Sequence, residues 1–162
     1  MILFRLALAS LTAAADGRLV DLPSAAGRRE PAVILFVSTV CPVSNDYHRR
    51  IGELWREFGR STQFLVVYPN KTESLAQIRE HARVMRFPFP VYRDDENQLA
   101  DALGARVTPQ AAVRRADGSL AYLGPVDDAI NPARVKKRWL RDAIKATLAG
   151  RRVEAADKEP YG

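Results

Sequence analysis

The stretch Val33-Ile34-Leu35-Phe36-Val37 is apolar at every position and rich in β-branched side chains, and four residues later the chain turns at Cys41-Pro42 into helical periodicity. An apolar run of this length predicts a buried strand. The segment after it places Tyr47, Ile51, Leu54, Trp55 and Phe58 at helical spacing and stops at Gly59, which predicts an amphipathic helix with a glycine terminator. Cys41, the only cysteine of the chain, therefore falls at a strand-to-helix junction. Unpaired N–H groups and the positive end of the helix dipole favour thiolate over thiol there. Pro42 suits the first helical turn, because the donor it lacks would be unpaired anyway. The junction is an arrangement for a reactive sulfur; the alternative is a small buried hydrophobe that follows a strand.

The remaining chain keeps alternating. Asp16-Gly17 followed by Arg18-Leu19-Val20-Asp21-Leu22 predicts a hairpin turned at Asp-Gly. The competing reading is a short signal peptide over Phe4 to Ala15, ending in Ala13-Ala14-Ala15. Pro23 to Pro31 is a polar connector, and Phe64 to Tyr68 is a second buried strand. Thr72-Glu73-Ser74 opens a helix with Leu75, Ile78, Ala82 and Met85 on one face. Phe87 to Tyr92 is a short extended piece whose prolines suit an edge or a strand start. A short helix over Glu96 to Leu103 ends at Gly104. Val107-Thr108-Pro109-Gln110 leads into a strand, Ala111 to Arg115, which Asp117-Gly118 turns into a partner at Ser119 to Leu123. Pro132 starts a final helix with Val135, Trp139, Ala143, Ile144 and Leu148 inward, and Glu154 to Gly162 reads as a loose tail. Helices alternating with buried strands and closed by a hairpin predict an α/β sandwich with a mixed sheet.

With 162 residues the chain can bury a core as one domain, expected over residues 1–150 with a tail at 151–162. A single cysteine excludes an intrachain disulfide framework, and so leaves the compartment, cytoplasmic or periplasmic, open. The net charge of +6 is concentrated between Arg134 and Arg152, where eight basic residues face only Asp142. A solvated helix face is the expected meaning; an acidic partner or an anionic membrane surface is the alternative. Nucleic acid is not expected, since no interleaved aromatic set accompanies the charge. No stretch reaches the roughly eighteen apolar residues of a membrane-spanning helix. His48 lies about two helical turns, ~10 Å, from Cys41, too far to pair with it. His81 sits on another helix at a polar-face spacing, and both histidines are expected at the surface. Asn70 and Asp127-Asp128 are loop residues without metal-ligand company, so neither a metal nor a cofactor is expected.

The strand ending in Cys41-Pro42-Val43-Ser44-Asn45, the Val107-Thr108-Pro109 segment, and Ala116-Asp117-Gly118 with its hairpin together resemble a thioredoxin-fold redoxin. That group includes bacterial alkyl-hydroperoxide-reductase and thiol-specific-antioxidant relatives. The resemblance covers Leu6 to about Gly150 and implies a three-layer α/β/α sandwich around a central mixed sheet. It also implies that Thr108–Pro109 is cis, a minority state even for X–Pro bonds, and lies against the thiol. The backbone of Thr108 would then accept an extended substrate segment, with Pro42, Thr108 and Pro109 as the substrate contacts.

The chain departs from the group in three places. Ser44 stands where C-x-x-C has its second cysteine, and a hydroxyl cannot release Cys41 from a mixed disulfide. Leu35 stands where thioredoxins keep a buried acid. Of the peroxidase pattern P-x-x-x-T-x-x-C with a later arginine, Ile34 replaces the proline and Ser38 the threonine, and Pro109 falls where the arginine aligns. The missing positive charge weakens peroxide binding and thiol activation. Related redoxins often carry a cysteine past the position of Gly162, which would serve as a resolving thiol.

The expected function is a thiol–disulfide oxidoreductase-like redoxin of antioxidant type, acting through Cys41 as a single nucleophile. Ser44 and the helix N-terminus would stabilise the thiolate, Cys41 would attack a protein or small-molecule disulfide or a sulfenic acid, and an external thiol would finish the cycle. The alternatives are a one-cysteine peroxidase reducing hydroperoxides, and a non-catalytic module holding a peptide beside Cys41 and Pro109. A thiol pKa near or above about 8.5 favours the binding module, and a depressed one favours chemistry.

Overall fold

Successive side chains of the strand β3 (Ala32–Phe36) point to opposite faces of a sheet, and both faces are covered. Val33, Leu35 and Val37 join one core cluster, while Ala32, Ile34 and Phe36 join the other. The computed structural model describes residues 9–22 and 29–161. Before β3 come β1 (Ser10–Ala13) and β2 (Leu19–Asp21); after it come α1 (Pro42–Phe58), β4 (Gln63–Tyr68), α2 (Leu75–Met85) and β5 (Val91–Arg93). The chain continues through α3 (Gln98–Leu103), β6 (Gln110–Arg114), β7 (Leu120–Gly124), a 3-10 turn at Pro132–Arg134, and α4 (Trp139–Leu148).

The strands form one sheet in the order β2-β1-β5-β4-β3-β6-β7. The β3–β4 and β4–β5 pairs are parallel, and the pairs at either side are antiparallel, so the sheet is mixed. One core holds Tyr47, Ile51, Leu54 and Phe58 of α1, Ile78 of α2, and Leu140, Ala143 and Ile144 of α4. The other holds Leu99, Ala100 and Leu103 of α3 against the opposite face. This is the three-layer α/β/α sandwich around a mixed sheet that the resemblance implies.

The Asp16-Gly17 hairpin is present, with Ser10 paired to Asp21 and Gly17 at φ 75°. The connector expected at Pro23–Pro31 lies largely outside the described residues. The piece around Val91 is a strand start, not an edge, since β5 lies between β1 and β4.

The final helix begins later than its sequence suggests. Pro132 opens only a 3-10 turn, and Val135 is extended at ψ 120°. The N–H groups of Lys136 and Lys137 donate to Asp128 Oδ1 at 2.8 and 3.0 Å, and Leu140 N–H donates to Val126 O at 3.1 Å. Donors committed to the segment after β7 cannot close helical turns, so α4 starts at Trp139. Its buried positions are Leu140, Ala143 and Ile144, with Trp139 half-buried and Leu148 exposed. The segment after α4 has no regular secondary structure, yet it is tied down. Val153 and Ala156 lie against the core, Asp157 pairs with Lys137, and the Tyr161 hydroxyl donates to Asp128 O at 2.8 Å.

Candidate active site

The loop from Ser38 to Val40 carries the chain from β3 to the N-terminus of α1, where Cys41 is the N-cap, with extended backbone (φ −90°, ψ 109°), and Pro42 is the first helical residue. The thiol is half-buried, while Val40 and Pro42 on either side are exposed. Burial alone pushes the thiol pKa up. The Ser44 N–H, the Ser44 hydroxyl, the Thr108 side chain and the Val43 N–H outweigh that by hydrogen bonding, and the net position is below the ordinary cysteine value. Ser44 Oγ is buried and, among the described residues, has no partner other than the sulfur. In the protonated state the thiol instead donates to the Thr108 carbonyl at 3.1 Å. Thiol and thiolate thus each have hydrogen-bond partners, and the more numerous donors serve the thiolate.

The Thr108 carbonyl meets the sulfur, and the Thr108–Pro109 bond that follows it is cis. The turn leading to it is held by Gln110, whose Oε1 accepts from Arg106 N–H at 2.9 Å and from Val107 N–H at 3.4 Å. The structure therefore brings Cys41, Ser44 and Thr108 together, with Pro109, next to Thr108 in sequence, buried and Pro42 exposed at the helix start. A groove of about 250 Å³ runs along the flank of Ser38 and Thr108, lined also by Asn70, Asn97 and Arg106.

Two neighbours were not legible in the sequence. Glu73, just before the N-cap of α2, is buried, and its Oε1 accepts from the Ser38 hydroxyl at 3.0 Å and from the Thr39 N–H. Its only sequence signal is an acid preceding a Ser-x-x-Gln capping box. His81 corrects the surface expectation: it is half-buried, with Nδ1 at 2.7 Å from the Tyr68 hydroxyl and Nε2 at 2.7 Å from Asn45 Oδ1. Burial holds Tyr68 protonated, with the charge of Glu73 acting in the same direction. Tyr68 therefore donates to Nδ1, which leaves Nε2–H to donate to Asn45 on the first turn of α1. Burial lowers the His81 pKa, Glu73 opposes this and His48 adds to it, in keeping with a neutral ring. His48 is exposed, as expected, and its Nδ1 lies 2.6 Å from Asn45 O.

Asp127 is not a free loop residue. It is buried against Arg50, with Nη1 at 2.8 and 2.6 Å from its two oxygens, and it accepts from the Tyr47 hydroxyl at 3.0 Å. The pair fastens the segment after β7 to α1. Among the described residues no group of histidine, cysteine, aspartate or glutamate could hold a metal ion, and no helix is long and apolar enough to cross a membrane.

Solved structures share this arrangement of elements. An uncharacterized conserved protein from Geobacillus kaustophilus is 25% identical with a TM-score of 0.78, over 93% of this chain and 82% of that one. A hypothetical protein from Sinorhizobium meliloti is 23% identical with a TM-score of 0.79, over 94% and 87%. A secreted Mycobacterium tuberculosis disulfide oxidoreductase homologous to E. coli DsbE is 18% identical with a TM-score of 0.64, over 91% and 98%. No curated protein sequence matches the chain. The AhpC/TSA family profile matches residues 5–122, which takes in β1 through β6 with Cys41 and the cis-proline. The protein belongs to the AhpC/TSA family and is a redoxin of the thioredoxin fold.

Proposed function

We propose that this redoxin is a thiol–disulfide oxidoreductase that works through Cys41 alone. The observation that carries the reading is the half-exposed sulfur at the N-terminus of α1, with its pKa below the ordinary value through Ser44, Thr108 and Val43. The Cys41 thiolate attacks one sulfur of a disulfide, forming a mixed disulfide and expelling the other sulfur as a thiolate, which takes up a proton. An external thiolate then attacks the substrate sulfur of that bond, forming a new disulfide and returning Cys41 as thiolate. Pro42, Thr108 and Pro109 form the substrate contact surface. The likeness to a mycobacterial disulfide oxidoreductase supports the same reading at the level of the fold.

A second reading, a one-cysteine peroxidase, is favoured by the AhpC/TSA match itself. In it the thiolate attacks a peroxide oxygen, giving a sulfenic acid and an alcohol or water. Against it, the effects that lower the Cys41 pKa are hydrogen bonds, with no guanidinium among them.

The test is to expose wild type and Ser44→Cys to a small-molecule disulfide and to dilute peroxide, following both by intact mass. Wild type should stop at the mixed disulfide until excess external thiol is added. Ser44→Cys, with two thiols one helical turn apart, should close an internal disulfide. Rapid stoichiometric sulfenic acid in wild type at low peroxide would overturn the ordering, and inertness toward both oxidants would leave a peptide-binding module.

A further inference from the structure

We propose that Glu73 is a positioning residue for Cys41, holding the loop that sets the sulfur against its hydrogen-bond donors. The loop from Ser38 to Val40 has no ladder or helix to satisfy its backbone, and one carboxylate does much of that work. Oε1 of Glu73 accepts from the Ser38 hydroxyl at 3.0 Å and from the Thr39 N–H. The same Ser38 oxygen accepts from the Val40 N–H at 3.3 Å, and the Ser38 carbonyl receives the Cys41 N–H at 3.4 Å. Each residue from 38 to 41 is thus connected, directly or through Ser38, to a side chain 35 residues further along the chain.

Two further observations bear on this role. Glu73 is only 3% exposed, and its second oxygen, Oε2, is buried with no hydrogen-bond partner among the described residues. An orphaned carboxylate oxygen is costly to bury, and the bonds that Oε1 makes to Ser38 and Thr39 offset that cost. Leu35, where related proteins place a buried acid, is itself 1% exposed and apolar. Among the described residues, the one carboxylate hydrogen-bonded to the Ser38–Val40 loop comes instead from just before α2. The titratable groups that feel Glu73 are Tyr68 and His81, which lead through Asn45 to the first turn of α1. Glu73 makes no hydrogen bond to the sulfur, so it acts on Cys41 through the loop.

The proposal rests on Cys41 being the reacting thiol and is independent of which oxidant it meets. It is tested by the pH dependence of Cys41 alkylation by iodoacetamide in wild type, Glu73→Ala, Glu73→Gln and Ser38→Ala. Each variant is first checked for folding by its urea midpoint. Glu73→Ala should move the alkylation midpoint to higher pH and slow the reaction at pH 7 several-fold, because the sulfur loses its alignment with the α1 donors. Glu73→Gln keeps an acceptor for Ser38 and Thr39 and should retain the wild-type midpoint. Ser38→Ala, which removes one of the two bonds and needs no buried cavity, should shift the midpoint in the direction of Glu73→Ala but less far, and stands in for it if that variant does not fold. An unchanged or lowered midpoint in Glu73→Ala, or a Glu73→Gln shift as large as that of alanine, overturns the assignment. A wild-type midpoint at or above that of a free thiol would instead defeat the functional reading of Cys41, which keeps the two failures distinguishable.

Discussion

Replacing Arg50 by methionine should be among the most damaging single changes outside the hydrophobic core. Its guanidinium donates through Nη1 to Asp127 at 2.8 and 2.6 Å and to the Ala129 carbonyl at 2.8 Å, through Nη2 to the Ile130 carbonyl at 2.5 Å, and it lies 3.7 Å over the Tyr47 ring. The two side chains are only 12% and 6% exposed, so solvent screens the pair little. Without Arg50 the Asp127 carboxylate keeps two donors, the Tyr47 hydroxyl at 3.0 Å and the Ala129 N–H at 3.3 Å. Removing one partner of a buried pair costs about 3–5 kcal/mol, and the two surviving donors place Arg50→Met at about 3 kcal/mol. Asp127→Leu leaves the cation with carbonyls alone and should cost about as much. The double variant buries no charge. It should therefore lie well below the sum of the singles, with a coupling of about 2 kcal/mol. Urea unfolding of all four proteins at constant m-value gives the cycle. Singles each under about 1 kcal/mol and additive in the double would mean the pair behaves as a solvated surface bridge, and the reasoning from burial would be refuted.

Leu140→Ala should destabilise by about 3 kcal/mol, since Leu140 is fully buried in α4, and the half-buried Trp139 should cost less on the same substitution; the reverse order in urea midpoints would contradict the observed helix start. Ser44→Ala removes one donor to the thiolate, so the pH midpoint of Cys41 alkylation should rise, and an unchanged midpoint would place the stabilisation in the backbone N–H groups and the Thr108 side chain. Asp94 is held above the usual carboxylate range by burial, which outweighs the N–H groups of Ala100, Leu99 and Gln98 that bond it. A raised folded-state pKa gives stability that is present below the unfolded value of about 3.9 and lost as pH rises through the folded one. The stability of wild type relative to Asp94→Asn should therefore fall as pH rises from about 4 toward neutrality, and urea midpoints that are flat or diverge the other way would exclude this.

Local pattern determined a large part of this protein. The apolar run that becomes β3, the amphipathic spacing of α1 up to Gly59, and the Asp-Gly turns at residues 16–17 and 117–118 each depend on neighbours within a few positions, and each is where its sequence puts it. The junction that sets Cys41 at a helix N-terminus follows from the same short-range signals. The resemblance supplied the cis bond at Pro109 and the position of Thr108, which no periodicity could give. What only the tertiary structure decided depends on partners far apart along the chain. Asp128 takes the N–H groups of Lys136 and Lys137 and so delays α4 to Trp139. His81, on what reads as a polar face, is drawn inward because Tyr68 and Asn45 offer it a donor and an acceptor. Glu73 reads as an ordinary acid before a helix cap, and becomes the support of the Cys41 loop only when the parallel β3–β4 pairing sets the loops after the two strands side by side. A hydrogen bond between residues 35 positions apart leaves no periodic trace in either segment, which is why the place of Cys41 at the helix start could be read from the sequence and the carboxylate bonded to its loop could not.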